Sequence, residues 1–243
     1  MSENLALSLI VPAYNESTRL PPYLALIRKY LDGRYPGRYE VVVVDDGSTD
    51  GTRALLEAQA AVWPQFRWIA NPQNEGKGAS VRTGVLACNG ARLLFADADG
   101  ATPIEEEERL SAAILSGADV AVGSRLKADA AAKQSRSWLR GLAGRLFAAT
   151  ARRLLRLPVQ DTQCGFKMFR AEVGHRVFSQ VREPRFLFDL EVLAVAHRLG
   201  YRIAEVPILW TEVGGGHLSL ARVFPRILLD LWRLRQRLER ERS

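Results

Sequence analysis

The stretch Glu40-Val41-Val42-Val43-Val44-Asp45 sets four consecutive β-branched apolar residues between two carboxylates, and it limits the fold more than any other segment. Side chains of a strand alternate between its faces, so an unbroken valine run signals a strand covered on both sides. Parallel sheets layered between helices meet that condition. Residues 5–11, 66–70, 91–96 and 119–123 read as further strands, each followed by a polar turn and a helical pattern. The first half of the chain therefore alternates β and α, which predicts a single-domain, mostly parallel, doubly wound α/β sheet. Ligands of such sheets lie beyond the carboxyl ends of the strands. Four polar clusters fall there: Pro12-Ala13-Tyr14-Asn15-Glu16, Asp45-Asp46-Gly47-Ser48, Asn74-Glu75-Gly76-Lys77-Gly78 and Asp97-Ala98-Asp99. They are expected to converge on one crevice.

The last cluster is the most informative. Four apolar residues, Leu93 to Ala96, run into Asp97 and Asp99. In an extended chain both carboxylates project to the same side, and Gly100 lets the backbone turn away. A positive partner is expected there. Helix punctuation is the competing reading, with Asp99 or Thr102 capping a helix that starts at Pro103 and runs through Glu105 to Glu108, but it accounts for one acid only. Gly76-Lys77-Gly78-Ala79 is not a phosphate-cradling P-loop, and no GxGxxG follows a strand. GxSxG and HExxH are absent, and there are three histidines, which removes the commoner hydrolase and zinc readings. What is left is a carboxylate-rich crevice. Such hard oxygen ligands suit Mg²⁺ or Mn²⁺ bridging a diphosphate.

Composition narrows the setting. The chain has 243 residues, 47% hydrophobic and 25% charged, without linker, repeat or low-complexity segment, which fits one domain with a C-terminal appendage. Cys88 and Cys164 have no metal spacing and read as free thiols of a reducing compartment. The N-terminus lacks a basic region and a long apolar run, so the expectation is a cytoplasmic chain whose membrane contact is peripheral. The net charge of +7 is concentrated: Lys127, Lys133, Arg136, Arg140, Arg145, Arg152, Arg153 and Arg156 face one acid, Asp129. Little aromatic interleaving accompanies them, and nucleic acid is not expected as a partner. Phosphate groups of a ligand or a lipid surface fit better, with a solvated basic face as the plain alternative.

The ordered motifs SLIVPAYNE, VVVVDDGSTDGT, NEGKGAS and ADADG resemble the family 2 glycosyltransferases, whose GT-A fold is a nucleotide-sugar-binding sheet with a DxD motif. Gly123-Ser124-Arg125, residues 134–140, DTQCGFK over 161–167, Phe188-Asp189-Leu190-Glu191 and Trp210-Thr211-Glu212 resemble the polyprenyl-phosphate branch. DADGAT, DTQCGFK and WTE are most similar to its members that glucosylate dolichyl phosphate. The resemblance implies that Asp46 holds the base ring edge of the donor, with Pro12, Ala13, Tyr14 and Glu16 lining the nucleoside. It implies Asp97 and Ala98 near the ribose and metal, Asp99 as principal metal ligand, and Lys77 beside the diphosphate or the aspartates. An Asx-type turn is the plain alternative for Asp46 and a solvated loop lysine for Lys77. Where the mannosyl members can place a third metal ligand, this chain has Ala101.

The implied reaction is an inverting transfer of a hexose, glucose from UDP-glucose first, to a polyprenyl (dolichyl or undecaprenyl) phosphate at the cytoplasmic face of a membrane. GDP-mannose as donor, or a catalytically silent nucleotide- or lipid-binding subunit, are the alternatives. The acceptor is already anionic, so positioning cations matter more than a strong base. Arg125, Arg136 and Arg140 are the candidates, since guanidinium forks match phosphate oxygens. Asp161, Gln163 and Lys167 crowd polar groups into one turn, which is costly unless they are satisfied, and Asp161 could orient an arginine or the sugar. The domain is expected to span 1–219, followed over 220–243 by a basic amphipathic helix. Phe224, Ile227, Leu228, Leu231, Leu234 and Leu238 form its apolar stripe. That stripe suits an anionic membrane surface, the domain itself, or a second subunit in a homo-oligomer.

Overall fold

The valine run is a strand with both faces covered. In the computed structural model, which describes residues 5–125, 149–185, 187–211 and 220–240, β2 (Tyr39–Asp45) is buried along its whole length. Val41 and Val43 enter one apolar layer and Val42 and Val44 the other. β1 (Leu7–Ala13) lies parallel to β2 and is likewise fully buried. β3 (Phe66–Ala70) and β4 (Arg92–Ala96) extend the parallel sheet on either side. These strands fall within two residues of their expected positions. β1 pairs with β4 only from Leu7 to Ile10, so Pro12 stands where one neighbour has already ended, a place that tolerates a missing N–H.

Helix α1 (Leu20–Arg34) buries Leu20, Tyr23, Leu24, Ile27 and Leu31. Together with Leu110 and Ile114 of α4 (Glu107–Leu115), they cover one face of the sheet. The opposite face is covered by Val81 and Val85 of α3 (Lys77–Ala87) and by later helices. Helix α2 (Thr52–Val62) joins β2 to β3. The spacings follow the 3.6-residue repeat that aims one stripe at a core. Pro103 precedes a 3₁₀ turn, Ile104–Glu106, and neither Asp99 nor Thr102 caps it. Asp99 Oδ1 accepts the N–H of Ala101 at 3.0 Å instead. The capping alternative therefore fails.

The second half departs from simple alternation. β5 (Val120–Ser124) does not pair with β4, because β6 (Phe166–Arg170) inserts between them antiparallel to both. β7 (Ile203–Pro207) adds to β5, and the seven-stranded order is β3-β2-β1-β4-β6-β5-β7. Helical residues 149–155 (α5) precede β6, and α6 (Ala171–Phe178) and α7 (Phe188–Arg198) follow it. Helix α8 (Leu220–Arg240) ends the described chain and packs on the domain through Leu231, Leu234 and Leu238. For those three leucines the domain itself is the partner, and the outward face carries Leu229 and Trp232. Cys88 and Cys164 are free, as expected, and both are buried.

Candidate active site

The carboxyl ends of β1, β2 and β4 meet the start of α3, and hydrogen bonds knit the expected clusters together. Asp46 is buried at the tip of β2. Its carboxylate accepts the backbone N–H of Glu75 at 3.0 Å and of Gly76 at 2.8 Å, and the amide of Asn71 at 2.8 Å. The turn role falls to Asp45, whose Oδ1 accepts the N–H of Ser48 at 3.1 Å while Oδ2 holds Arg53 at 2.7 Å. Asp46 thus organises the loop that leads to Lys77. Among the residues expected to line a nucleoside, Tyr14 is exposed at the rim. The carboxylate of Glu16 is gripped by Arg19 at 2.8 and 2.5 Å. Burial raises the Glu16 carboxyl above its usual range, partly offset by Arg19 and reinforced by Asp99. The side chains of Pro12, Ala13 and Ala98 are buried, Ala13 and Ala98 in the α1-side layer, which leaves only their backbone to face a nucleoside.

β4 stops at Ala96 and the chain turns at Ala98 and Asp99, so the strand alternation that suggested paired carboxylates does not extend to them. The turn nevertheless brings both charges to bear on one cation. Lys77 Nζ meets Asp97 Oδ1 at 2.5 Å, and each side chain is 38% exposed, so the pair opens to solvent. Burial works against the Lys77 charge, but Asp97, Asp189 and Asp99 outweigh it and hold the ammonium above the usual lysine range. Asp97 Oδ1, although buried, accepts no hydrogen bond of good geometry. Gly165 explains the position of this carboxylate. A Cβ at residue 165 would overlap the Asp97 carboxyl group, and the Asp97 N–H donates to Gly165 O at 3.1 Å. Glycine is required there by close approach.

At the end of β5, Arg125 is held on two sides. Asp161 accepts its Nε and one terminal nitrogen, both at 2.8 Å, and also its backbone N–H at 2.9 Å. The ring of Trp210 lies against the guanidinium, 5.5 Å from its carbon to the ring centroid. Burial disfavours both charges, yet the fork prevails: the Arg125 pKa is raised and the Asp161 carboxyl is held below its usual range. Asp161 therefore orients an arginine. Beneath it, Glu205 of β7 accepts the Asp161 N–H at 2.9 Å and the Ser124 hydroxyl at 2.8 Å. Sequence reasoning missed Glu205 because it missed β7; a lone carboxylate in the short run IAEVP was the available signal.

Lys167 requires a correction. By sequence it is a catalytic candidate of the polar turn over 161–167, but its side chain is completely buried in β6. Its Nζ donates to Asp189 Oδ1 at 2.5 Å and Cys164 O at 2.6 Å. A lysine so enclosed cannot touch a substrate, and its Nζ is taken up by the Asp189 carboxylate and the Cys164 carbonyl. Asp189 and Phe188, quoted in the sequence without a role, thereby become part of the wall behind Lys77. Arg136 and Arg140 lie outside the described residues.

A parallel sheet interrupted by one antiparallel strand, with Asp97 and Asp99 beyond β4 and a forked arginine beyond β5, defines a glycosyltransferase of GT-A fold. The chain belongs to glycosyl transferase family 2, whose sequence model matches residues 8–178. Over 257 residues it is 34% identical to the dolichyl-phosphate beta-glucosyltransferase of Dictyostelium discoideum, covering 96% of this chain and 78% of the relative. The human enzyme of the same name is 35% identical over 253 residues, covering 95% and 78%. Among solved structures, glucosyl-3-phosphoglycerate synthase from Mycobacterium tuberculosis, in complex with Mn²⁺, UDP and phosphoglyceric acid, superposes with a TM-score of 0.67. At 21% identity, over 93% of this chain and 78% of that one, it supports the fold alone. Among the described residues no helix is long and apolar enough to cross a membrane.

Proposed function

We propose that this glycosyltransferase moves glucose from UDP-glucose to a dolichyl-type polyprenyl phosphate. The observation that carries the reading is the facing of unlike charges across one crevice: Asp97 and Asp99 with Lys77 on one side, and Arg125, forked by Asp161, on the other. The charge of Asp97 reaches Arg125 and helps to hold it protonated. The names of the relatives, at 34–35% identity over nearly the whole chain, supply the sugar and the lipid.

In this reading the nucleoside lies along Tyr14 and the loop fastened by Asp46, and Lys77 neutralises the diphosphate. Asp97 and Asp99 would hold Mg²⁺ or Mn²⁺. They fit that task, since the Asp97 carboxylate is engaged through Oδ1 by the Lys77 ammonium, which a bound cation could replace or share, and Asp99 spends one oxygen on Ala101. Among the described residues no third carboxylate, histidine or cysteine joins them. Bound there, the metal supplies charge stabilisation to the departing UDP. Arg125 keeps guanidinium hydrogens beyond those given to Asp161, and they grip the acceptor phosphate. One phosphate oxygen then attacks the anomeric carbon from the face opposite UDP, the carbon–oxygen bond to UDP breaks, and the configuration inverts. The acceptor phosphate is already ionised, so the residues orient it and bear charge without removing a proton.

Membrane contact is assigned to the outward face of α8. Leu229 and Trp232, one helical turn apart, are exposed there beside Arg233, a pairing suited to a peripheral hold on an anionic surface. The test is transfer from labelled UDP-glucose and GDP-mannose to a short, water-soluble polyprenyl phosphate with Mn²⁺. Transfer from UDP-glucose is expected. Transfer from GDP-mannose alone would reassign the donor, and an inert protein that binds UDP would mark a silent member of the family.

A further inference from the structure

The segment Phe188-Asp189-Leu190-Glu191 opens α7 behind the Lys77 loop, and Glu191 has no part in the transfer described above. It is almost wholly buried, and its carboxylate is fully engaged. Oε2 accepts the backbone N–H groups of Arg182 at 3.0 Å and Glu183 at 2.6 Å, while Oε1 meets Arg237 of α8 at 2.5 Å. Burial raises this carboxyl above its usual range, against the pull of those N–H groups and Arg237. Such an anion persists only while its partners stay.

What Glu191 holds presses on α3. Pro184 O accepts the N–H of Ala79 at 3.1 Å. A Cβ on Gly76, whose φ is +109°, would overlap Pro184 O, and one on Gly78 would overlap Glu183 O and Phe188. The Phe188 ring sits 5.7 Å from the Lys77 ammonium. Gly76 in turn gives its N–H to Asp46. A continuous chain of contacts therefore runs from α8 through Arg237, Glu191 and residues 182–184 to the loop that carries Lys77. We infer that Glu191 is a positioning residue that ties α8 to the Gly76-Lys77-Gly78 loop, so that docking of α8 raises affinity for the nucleoside diphosphate. This rests on the donor site proposed above.

The test uses the full chain with Arg237→Met and Glu191→Gln. Arg237 is the safer site because 31% of its side chain is exposed, and Arg237→Lys keeps the charge. Two quantities are read: hydrogen exchange over residues 76–80 without ligand, and the Kd of UDP with Mn²⁺. Arg237→Met and Glu191→Gln are expected to speed exchange at 76–80 selectively and to weaken UDP by roughly 5- to 20-fold. The acceptor KM should hold, and Arg237→Lys should recover most of the loss. Unchanged exchange at 76–80, or an equal rise throughout the core, overturns the proposal. Wild-type UDP affinity in all variants, with UDP still protecting 76–80 in the wild type, overturns the coupling alone. Saturating UDP that leaves 76–80 unprotected in the wild type defeats the donor-site reading and the proposal with it.

Discussion

Replacing Asp161 with Asn keeps the shape of the fork under Arg125 and removes its charge. Asp161 accepts three hydrogen bonds from Arg125, two from the guanidinium and one from the backbone. An asparagine can keep those that fall on its carbonyl oxygen, but its amide then meets Nε or a terminal nitrogen donor to donor. A hydrogen bond to a charged group contributes about 1.5–3 kcal/mol, and one is lost with a repulsive contact in its place. The loss should be about 2–4 kcal/mol, below the about 3–5 kcal/mol of a fully orphaned buried charge, because Trp210 and the open side of the crevice still attend Arg125. For a chain of this length that corresponds to a fall in Tm of roughly 4–16 °C. The pH dependence has a definite sign. The folded Asp161 carboxyl is held below its unfolded value, so its contribution is present above about pH 4 and is lost as pH falls through the folded value. The gap in Tm between wild type and Asp161→Asn should therefore narrow in acid. With a loosened guanidinium, the KM for a soluble polyprenyl phosphate should rise on the order of tenfold or more, while the KM for UDP-glucose stays. Thermal melts at several pH values and initial rates with each substrate varied give both readouts. A variant with wild-type Tm at neutral pH and a wild-type acceptor KM would refute the reasoning.

Asp99→Asn should abolish most Mn²⁺-dependent transfer with little change in Tm, since its one hydrogen bond, from Ala101 N–H, survives on an amide oxygen while a hard cation loses its anionic ligand; rates across a Mn²⁺ titration check this. Gly165→Ala should displace the Asp97 carboxylate and cost at least tenfold in kcat with the fold retained, measured as kcat beside a circular-dichroism melt. Lys77→Met should weaken UDP by roughly 10- to 100-fold and leave uridine binding unchanged, because the ammonium answers phosphate charge; calorimetric titration of both ligands decides it.

Much of the fold was legible because it rests on local patterns. Four valines in a row demand cover on both faces, and strand runs separated by helical spacing demand a parallel sheet, so β1 to β5 were found within two residues. Convergence at the strand ends follows from that topology. β6 was not legible: Lys167 interrupts its apolar run, and it takes the Cys164 carbonyl and the Asp189 carboxylate, 22 residues away, to make a buried lysine tolerable there. β7 is half exposed and contains Glu205, so it lacks the apolar signature of the central strands.

Tertiary structure also decided what each polar residue of the crevice does. Residue type alone made Asp46, Lys77, Asp97, Asp99, Arg125 and Asp161 candidates for anion and cation work. Whether a carboxylate stands free or is used up depends on atoms distant in the chain: Asp161 is claimed by Arg125, 36 residues before it, and Asp46 by the N–H of Gly76, 30 residues after it. The same holds for α8, whose leucine stripe fits a membrane as well as a protein. Its choice at Leu231, Leu234 and Leu238 was made by an apolar face on α7 and by the buried anion of Glu191 waiting for Arg237. Spacing along a chain specifies which side chains share a face, but burial and pairing are properties of the assembled surfaces, and those exist only once the chain has folded.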